Sequence, residues 1–207
     1  MRFLSGTLLF LGVIASNMVH AASAVDRLHH YLDSARGLSA DFEQVVMDQE
    51  RAEVQRSAGK VRLQRPSRFR WDYTEPYEQL ILSNGKRFWI YDAELAQVTV
   101  KPLDKAIART PAMVLSSDKP VEEDYDLLDL GTMEGLDWVE LVPKVKDTDY
   151  DRVRLGFLRE DLKSMELTDG FGQITRITFS NVTLNPHMNA SLFTFDPPAG
   201  VDVIEAQ

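Results

Sequence analysis

Cysteine is absent from all 207 positions of this sequence. Its absence excludes disulfide bridges, a thiol nucleophile and every metal site that depends on thiolate ligands. Small eukaryotic secreted scaffolds commonly rely on disulfides, so this chain does not belong to that class.

Histidine is scarce as well, with only four residues, His20, His29, His30 and His187. His29 and His30 are neighbours on a predicted helix and cannot bind one metal ion from the same face. The motifs H-E-x-x-H and G-x-S-x-G and a phosphate-binding glycine loop are all missing. We therefore predict no metal, no cofactor and no enzymatic activity. A hydrolase would need a nucleophile–base pair that no motif reveals.

Positive charge is in deficit, since 23 Lys and Arg face 32 Asp and Glu, for a formal net charge of −9. A surface of this sign disfavours nucleic acids and bare anionic membranes as partners. The charge does not identify a partner.

Long apolar runs are limited to the N-terminus, where the densest part extends from Leu8 to Ile14. Arg2 precedes this run, and the small residues Val19 and Ala21 follow it, an arrangement typical of a secretory signal peptide. We predict a signal peptide over residues 1–21, with cleavage after Ala24 as the alternative, and one domain over residues 22–207. The mature chain should be a soluble monomer of the Gram-negative periplasm without stable membrane insertion.

What the sequence does contain is one segment with helical spacing and many segments in which apolar and polar residues alternate. Residues 24–36 have helical spacing, with Ser23 as N-cap and Gly37 as the C′ residue. Alternating segments follow, among them a hairpin at Asn84–Gly85, and they total about eleven strands. Residues 102–120 predict one or two short helices, and residues 118–124 an acidic loop. The fold class is α+β, a single curved antiparallel sheet forming an incomplete β-barrel, with its helices over the concave face or the open end.

The segment Lys60–Tyr73 bends at Pro66 between two predicted strands. Val61, Leu63 and Arg65 share one face of the first strand, so a guanidinium points where apolar groups point. Arg65 is either a surface arginine at a strand end or a donor to the carbonyls of a covering helix.

The candidate site is apolar and has two interpretations. Its residues form either an ordinary packed core or a ligand pocket between sheet and helices. They are Phe42, Val46, Leu63, Phe69, Trp71, Ile81, Phe88 or Trp89, Ile107, Met113, Val114 and Leu115.

Several motifs extend along the whole chain. They are F-x-Q at 42–44, Q-R-P-S-R-F-R-W at 64–71, S-N-G-K-x-x-W-x-Y at 83–91, T-P-A-M at 110–113 and F-x-F-D-P-P-x-G-V-D-V at 193–203. Together they resemble the family of periplasmic outer-membrane lipoprotein carriers, LolA.

The resemblance implies helices that act as a lid over a hydrophobic cavity. It implies that Arg65 holds the lid closed, that Phe69 takes part in accepting the substrate, and that the other apolar residues above line the cavity. The implied partners are acylated lipoproteins, the inner-membrane ABC transporter LolCDE and the outer-membrane receptor LolB. Ala112 departs from relatives that carry a large aromatic residue there. The alternative is a periplasmic lipid- or lipoprotein-sensing regulatory module with the same half-barrel fold.

Overall fold

The computed structural model describes residues 22–103, 112–145 and 148–205. Over these residues the chain forms three α-helices, one 3₁₀ helix and twelve strands. The helices are α1 Ala24–Ser34, α2 Ala112–Ser116, α3 Val121–Asp124 and the 3₁₀ helix Ala190–Phe193. The strands are β1 Gly37–Met47, β2 Glu53–Gln64, β3 Arg68–Glu75, β4 Gln79–Asn84, β5 Arg87–Asp92, β6 Gln97–Pro102, β7 Tyr125–Met133, β8 Leu136–Pro143, β9 Arg152–Leu158, β10 Asp161–Thr168, β11 Ile174–Leu184 and β12 Asp202–Glu205. The predicted signal peptide and Ile107 lie outside the described residues.

All described strands belong to one open, curved sheet in the order β12-β6-β5-β4-β3-β2-β1-β11-β10-β9-β8-β7. This confirms the predicted α+β class and the incomplete barrel. Short turns between successive strands produce most of the antiparallel pairs, and the distant strands β1 and β11 also pair antiparallel. The exception is β12, which pairs with β6 in parallel. The C-terminal strand therefore reaches the edge of the sheet after crossing the strands between β11 and β6.

Helix α1 begins where the sequence predicts. The Ser23 hydroxyl oxygen accepts from the Asp26 backbone N–H, and the Asp26 carboxylate accepts from the Ser23 backbone N–H, which completes a capping box. The other end differs from the prediction, because Ala35 is the C-cap and Gly37 already opens β1. A Cβ on Gly37 would lie 3.0 Å from the Leu63 carbonyl oxygen, so a close strand approach explains this glycine better than a helix cap does.

The two faces of the sheet carry two separate apolar clusters. The larger cluster combines one sheet face, which we call the floor, with side chains of α1 and α2 that cover it. The smaller cluster lies on the opposite face and comprises Leu80, Leu82, Trp89, Val98 and Val100, with Tyr91, Phe195 and Val201 packed against it. Phe88 lies in the floor and Trp89 in the opposite cluster, which decides between the two residues that the alternation left open.

The acidic segment predicted as a loop over 118–124 is partly helical. Its last four residues form α3, whose first turn carries Glu122, Glu123 and Asp124. Acidic side chains stabilise the first turn of a helix, which accounts for a helical turn in so polar a segment. None of the described helices has the length and apolar character needed to span a membrane.

Candidate functional site

Arg65 lies just beyond β2, at the end of the row that begins with Val61 and Leu63. Its Nε donates to the Leu115 carbonyl oxygen at 3.2 Å, and its Nη1 donates to the Leu32 carbonyl oxygen. Leu32 belongs to the last turn of α1 and Leu115 to that of α2. Carbonyls in the last turn of a helix have no partner within the helix. One guanidinium therefore joins the C-terminal ends of both covering helices to the sheet.

Backbone groups beside Arg65 reinforce the same junction. The Arg65 backbone N–H donates to the Arg36 carbonyl at 3.0 Å, and the Ser67 backbone N–H donates to the Ser116 carbonyl at 2.8 Å. The end of α2 is thus held by two donors from the short connection between β2 and β3. We call this set of contacts the latch.

Arg65 stays charged in the latch although its surroundings lower its pKa. Burial lowers the pKa of the Arg65 guanidinium, while the nearby Tyr31 acts in the opposite direction. An arginine stays protonated in proteins even so. The positive group lies at the carbonyl ends of two helices, where a cation is stabilised by the partial negative charge.

Most of the apolar residues predicted for the site come together in the larger cluster, which comprises the floor and the helices that cover it. Phe69 is fully buried, and it pairs with Leu63 on β2 and Ser83 on β4. Ile81 is partly buried and packs against the floor. Val46 is 8% exposed but does not belong to this cluster. The other predicted residues in this larger cluster are Phe42, Leu63 and Trp71 of the floor and Met113, Val114 and Leu115 of α2.

A row of aromatic rings forms the centre of the floor. The ring of Phe42 meets Trp71 at 5.3 Å and Tyr73 at 5.0 Å, both in edge-on geometry, and Trp71 continues to Phe179 at 6.5 Å. The Tyr73 hydroxyl donates to Gln44 Oε1 at 3.0 Å. Burial is the main cause of a Tyr73 pKa of about 12, so this phenol remains neutral.

Two members of this row, Tyr73 and Phe179, were missing from the residues predicted for the site. The alternation of β3 places Tyr73 on the face of Phe69 and Trp71, so its position was readable from the sequence. Phe179 comes from β11, and its pairing with Phe42 depends on a distant strand contact that no local pattern reveals.

Comparison with known proteins identifies the family. The family model for the outer membrane lipoprotein carrier protein LolA matches residues 33–196. This chain belongs to the LolA family. It is 48% identical over 179 residues to the outer-membrane lipoprotein carrier protein of Methylococcus capsulatus, with 86% of each chain covered. It is 40% identical over 204 residues to the protein of the same name from Methylobacillus flagellatus, with 99% of each chain covered.

An uncharacterized conserved protein from Thermus thermophilus has a solved structure with the same fold. The TM-score is 0.54 at 14% identity, and the match covers 88% of this chain and 96% of the other. At this level of identity the match shows the fold alone.

In this LolA-family chain the floor is packed rather than empty, because α1 and α2 lie directly on it. Leu28 and Tyr31 of α1 are buried, as are Ala112 and Leu115 of α2. Ala112 is fully buried, and its small side chain lets the start of α2 lie close to its neighbours. An apolar ligand that reaches the floor must displace these helices.

Proposed function

We propose that this chain is a periplasmic carrier that binds the acyl chains of lipoproteins and transfers the lipoproteins to the outer membrane. The observation that carries the proposal is the latch, an arginine that closes two helices over an apolar floor. Arg65 provides the latch, and Phe69, in the strand beside it, takes part in accepting the substrate. The remaining predicted residues line the space that opens when the helices lift.

The physical need for such a carrier follows from the acyl chains. Each CH₂ group kept out of water is worth about 0.8 kcal/mol, so an anchor with several chains cannot cross an aqueous compartment unprotected. The floor offers Leu, Val and aromatic side chains in place of water. Binding and release are the whole task, so no catalytic residue is required.

The latch opposes loading and favours release. A hydrogen bond to a charged group contributes about 1.5–3 kcal/mol, and Arg65 makes two of them in the closed state. Loading must break both, while unloading restores them. We propose that the inner-membrane transporter LolCDE supplies the energy for loading and that the receptor LolB accepts the cargo. The chain would act as a monomer after removal of residues 1–21.

Replacing the latch arginine tests this function. We expect Arg65→Leu to take up an acylated lipoprotein but to transfer it to the receptor at least about tenfold more slowly, because closure no longer drives release. Arg87→Leu is the matched control, since Arg87 on β5 is exposed and lies outside the latch. The measurement is the rate of transfer from purified, loaded carrier to purified receptor.

Transfer by Arg65→Leu at the wild-type rate would show that Arg65 is not a latch. Mass spectrometry of the wild-type protein isolated from the periplasm tests the carrier function itself. We expect one acylated lipoprotein per chain, and free phospholipid in its place would contradict the proposal.

A further inference from the structure

A pocket of about 200 Å³ is already open in the closed structure, at the junction of the two covering helices, α3 and the β7–β8 edge of the sheet. We call it the junction pocket. Its apolar lining includes Leu32, Met113, Val114, Val121, Tyr125 and Val145. The rim carries the charged side chains of Asp118, Lys119 and Asp124.

The junction pocket shares residues with the latch. Leu32 contributes its side chain to the pocket and its carbonyl oxygen to Arg65 Nη1. Ser67 also lines the pocket, and its backbone N–H holds the Ser116 carbonyl at the end of α2. A group that fills this pocket therefore presses on both helices at the points where the latch joins them.

An acyl chain cannot begin its insertion at the floor, because the helices are packed on it. Met113 and Val114 of α2 connect the two regions, since both line the pocket and both belong to the larger cluster, in which α2 packs on the floor. The pocket thus leads from the surface to the underside of α2. Its apolar interior and charged rim match an amphiphile that enters tail first, since apolar pockets with a few polar groups orient their ligands in this way.

We propose that the junction pocket is the insertion site for the first acyl chain of the lipoprotein, and that this chain separates α2 from α1 and so breaks the latch. The proposal rests on the carrier function above and adds where loading begins. In the closed protein only the end of one chain fits. The remaining length follows once the helices have moved off the floor.

The test fills the pocket from its rim. Val145 is 63% exposed, so Val145→Trp places an indole at the opening with little risk to the core. Leu128→Trp is the matched control, because Leu128 on β7 is 54% exposed and does not line the pocket. The measurement is the rate of uptake of a synthetic triacylated lipopeptide by the purified carrier, followed by the fluorescence of the lipopeptide label.

We expect Val145→Trp to slow uptake about tenfold, the factor lost when roughly two methylene groups are excluded from an apolar site. Leu128→Trp should load at the wild-type rate. In the Arg65→Leu background the helices are already released, so the effect of Val145→Trp on uptake should largely disappear.

Equal uptake rates for Val145→Trp and Leu128→Trp would overturn the insertion site. A tenfold effect that persists unchanged with Arg65→Leu would overturn its coupling to the latch. Neither result affects the carrier function, which a wild-type protein that takes up no lipopeptide would contradict. If Val145→Trp lowers the melting temperature by more than about 5 °C, the variant Val145→Cys labelled with bimane replaces it. The label reacts only at position 145, because the chain has no other thiol. Its emission should shift to the blue on loading, and an unchanged spectrum would contradict the proposal.

Discussion

Gly59 shows how a single missing side chain shapes the floor. It pairs with Phe42 on β1 and with Tyr73 on β3. All three positions face the same side of the sheet, since directly paired residues share a face. Because Gly59 has no side chain, the rings of Phe42 and Tyr73 meet across β2 at 5.0 Å. The centre of the aromatic row therefore depends on a glycine in the middle of a strand.

We expect Gly59→Ala to be strongly destabilising. An added Cβ would lie 1.9 Å from the Asp72 carbonyl oxygen, so β2 and β3 would have to move apart. Overpacking of this kind costs about 1–3 kcal/mol, and contact with rigid backbone favours the upper end. Urea denaturation measures the free energy of unfolding. Gly170→Ala is the control, since a Cβ there meets only a side-chain oxygen of Asp151 at 4.0 Å; equal losses for the two variants would contradict the close approach.

Among the elements, α1 provides one of the two carbonyls that accept from the Arg65 side chain. The first turn of α1 depends on the capping box. The Ser23 hydroxyl donates to Asp26 Oδ2 at 2.8 Å and the Ser23 backbone N–H donates to the same oxygen at 3.1 Å. These hydrogen bonds hold the pKa of the Asp26 carboxyl below its usual value of 3.8. The cap is therefore at full strength only while Asp26 is ionised.

This cap predicts a pH dependence for the stability of α1. Because the pKa of Asp26 is lower in the folded state, its contribution is complete above pH 3.8 and disappears as the pH falls through the lowered pKa. We expect wild type to be more stable than Asp26→Asn at pH 6, with the difference vanishing as the pH falls below 3.8. The measurement is urea denaturation between pH 6 and pH 2.5. A difference for Asp26→Asn that stays constant between pH 6 and pH 2.5 would contradict the prediction.

The elements were predictable wherever the pattern is local. The capping box of α1, the Asn84–Gly85 hairpin and the alternation of β2 and β3 all follow from neighbouring residues. Gly37 was misassigned as a helix cap because its role depends on the Leu63 carbonyl of a different strand.

The latch shows the same limit. The alternation of β2 placed Arg65 on the apolar side, but its acceptors lie 33 and 50 positions away in the chain. Both acceptors are backbone carbonyls, which every residue has, so the sequence pattern does not indicate which carbonyls Arg65 binds. The junction pocket was not predictable either, because it arises where α1, α2, α3 and the sheet meet.

At the scale of the whole molecule, the sheet is covered on both faces by different parts of the chain. The helices lie on the floor, and the C-terminal segment 185–201 crosses the opposite face from β11 to β6. Arg68 lies 5.9 Å from the centre of the Phe193 ring, and Arg70 Nη1 donates to the Leu192 carbonyl at 3.4 Å. Phe195 then stacks near Tyr91 at 5.3 Å before β12 pairs with β6.

Under the proposed function, this arrangement separates the helices, which would move, from the sheet, which would stay in place. The latch connects the helices to the sheet on the floor side only, whereas the C-terminal segment ties together strands that lie far apart in the sheet order. The helices can then leave the floor while the sheet keeps its curvature. A carrier of this kind needs a wall that stays in place when the ligand replaces the helices.

Phe193 is the anchor of the C-terminal segment and provides the last prediction. Its side chain is 1% exposed, so Phe193→Ala should remove about 3–5 kcal/mol from the free energy of unfolding, the usual cost of deleting a buried phenylalanine. Phe171→Ala is the matched control, because Phe171 is 82% exposed and should change stability by less than about 0.5 kcal/mol. Urea denaturation of the two variants makes the comparison. Similar, small losses in both would mean that the segment 185–201 is not anchored at Phe193, and that its contacts at Leu192 and Phe195 and the pairing of β12 hold it in place.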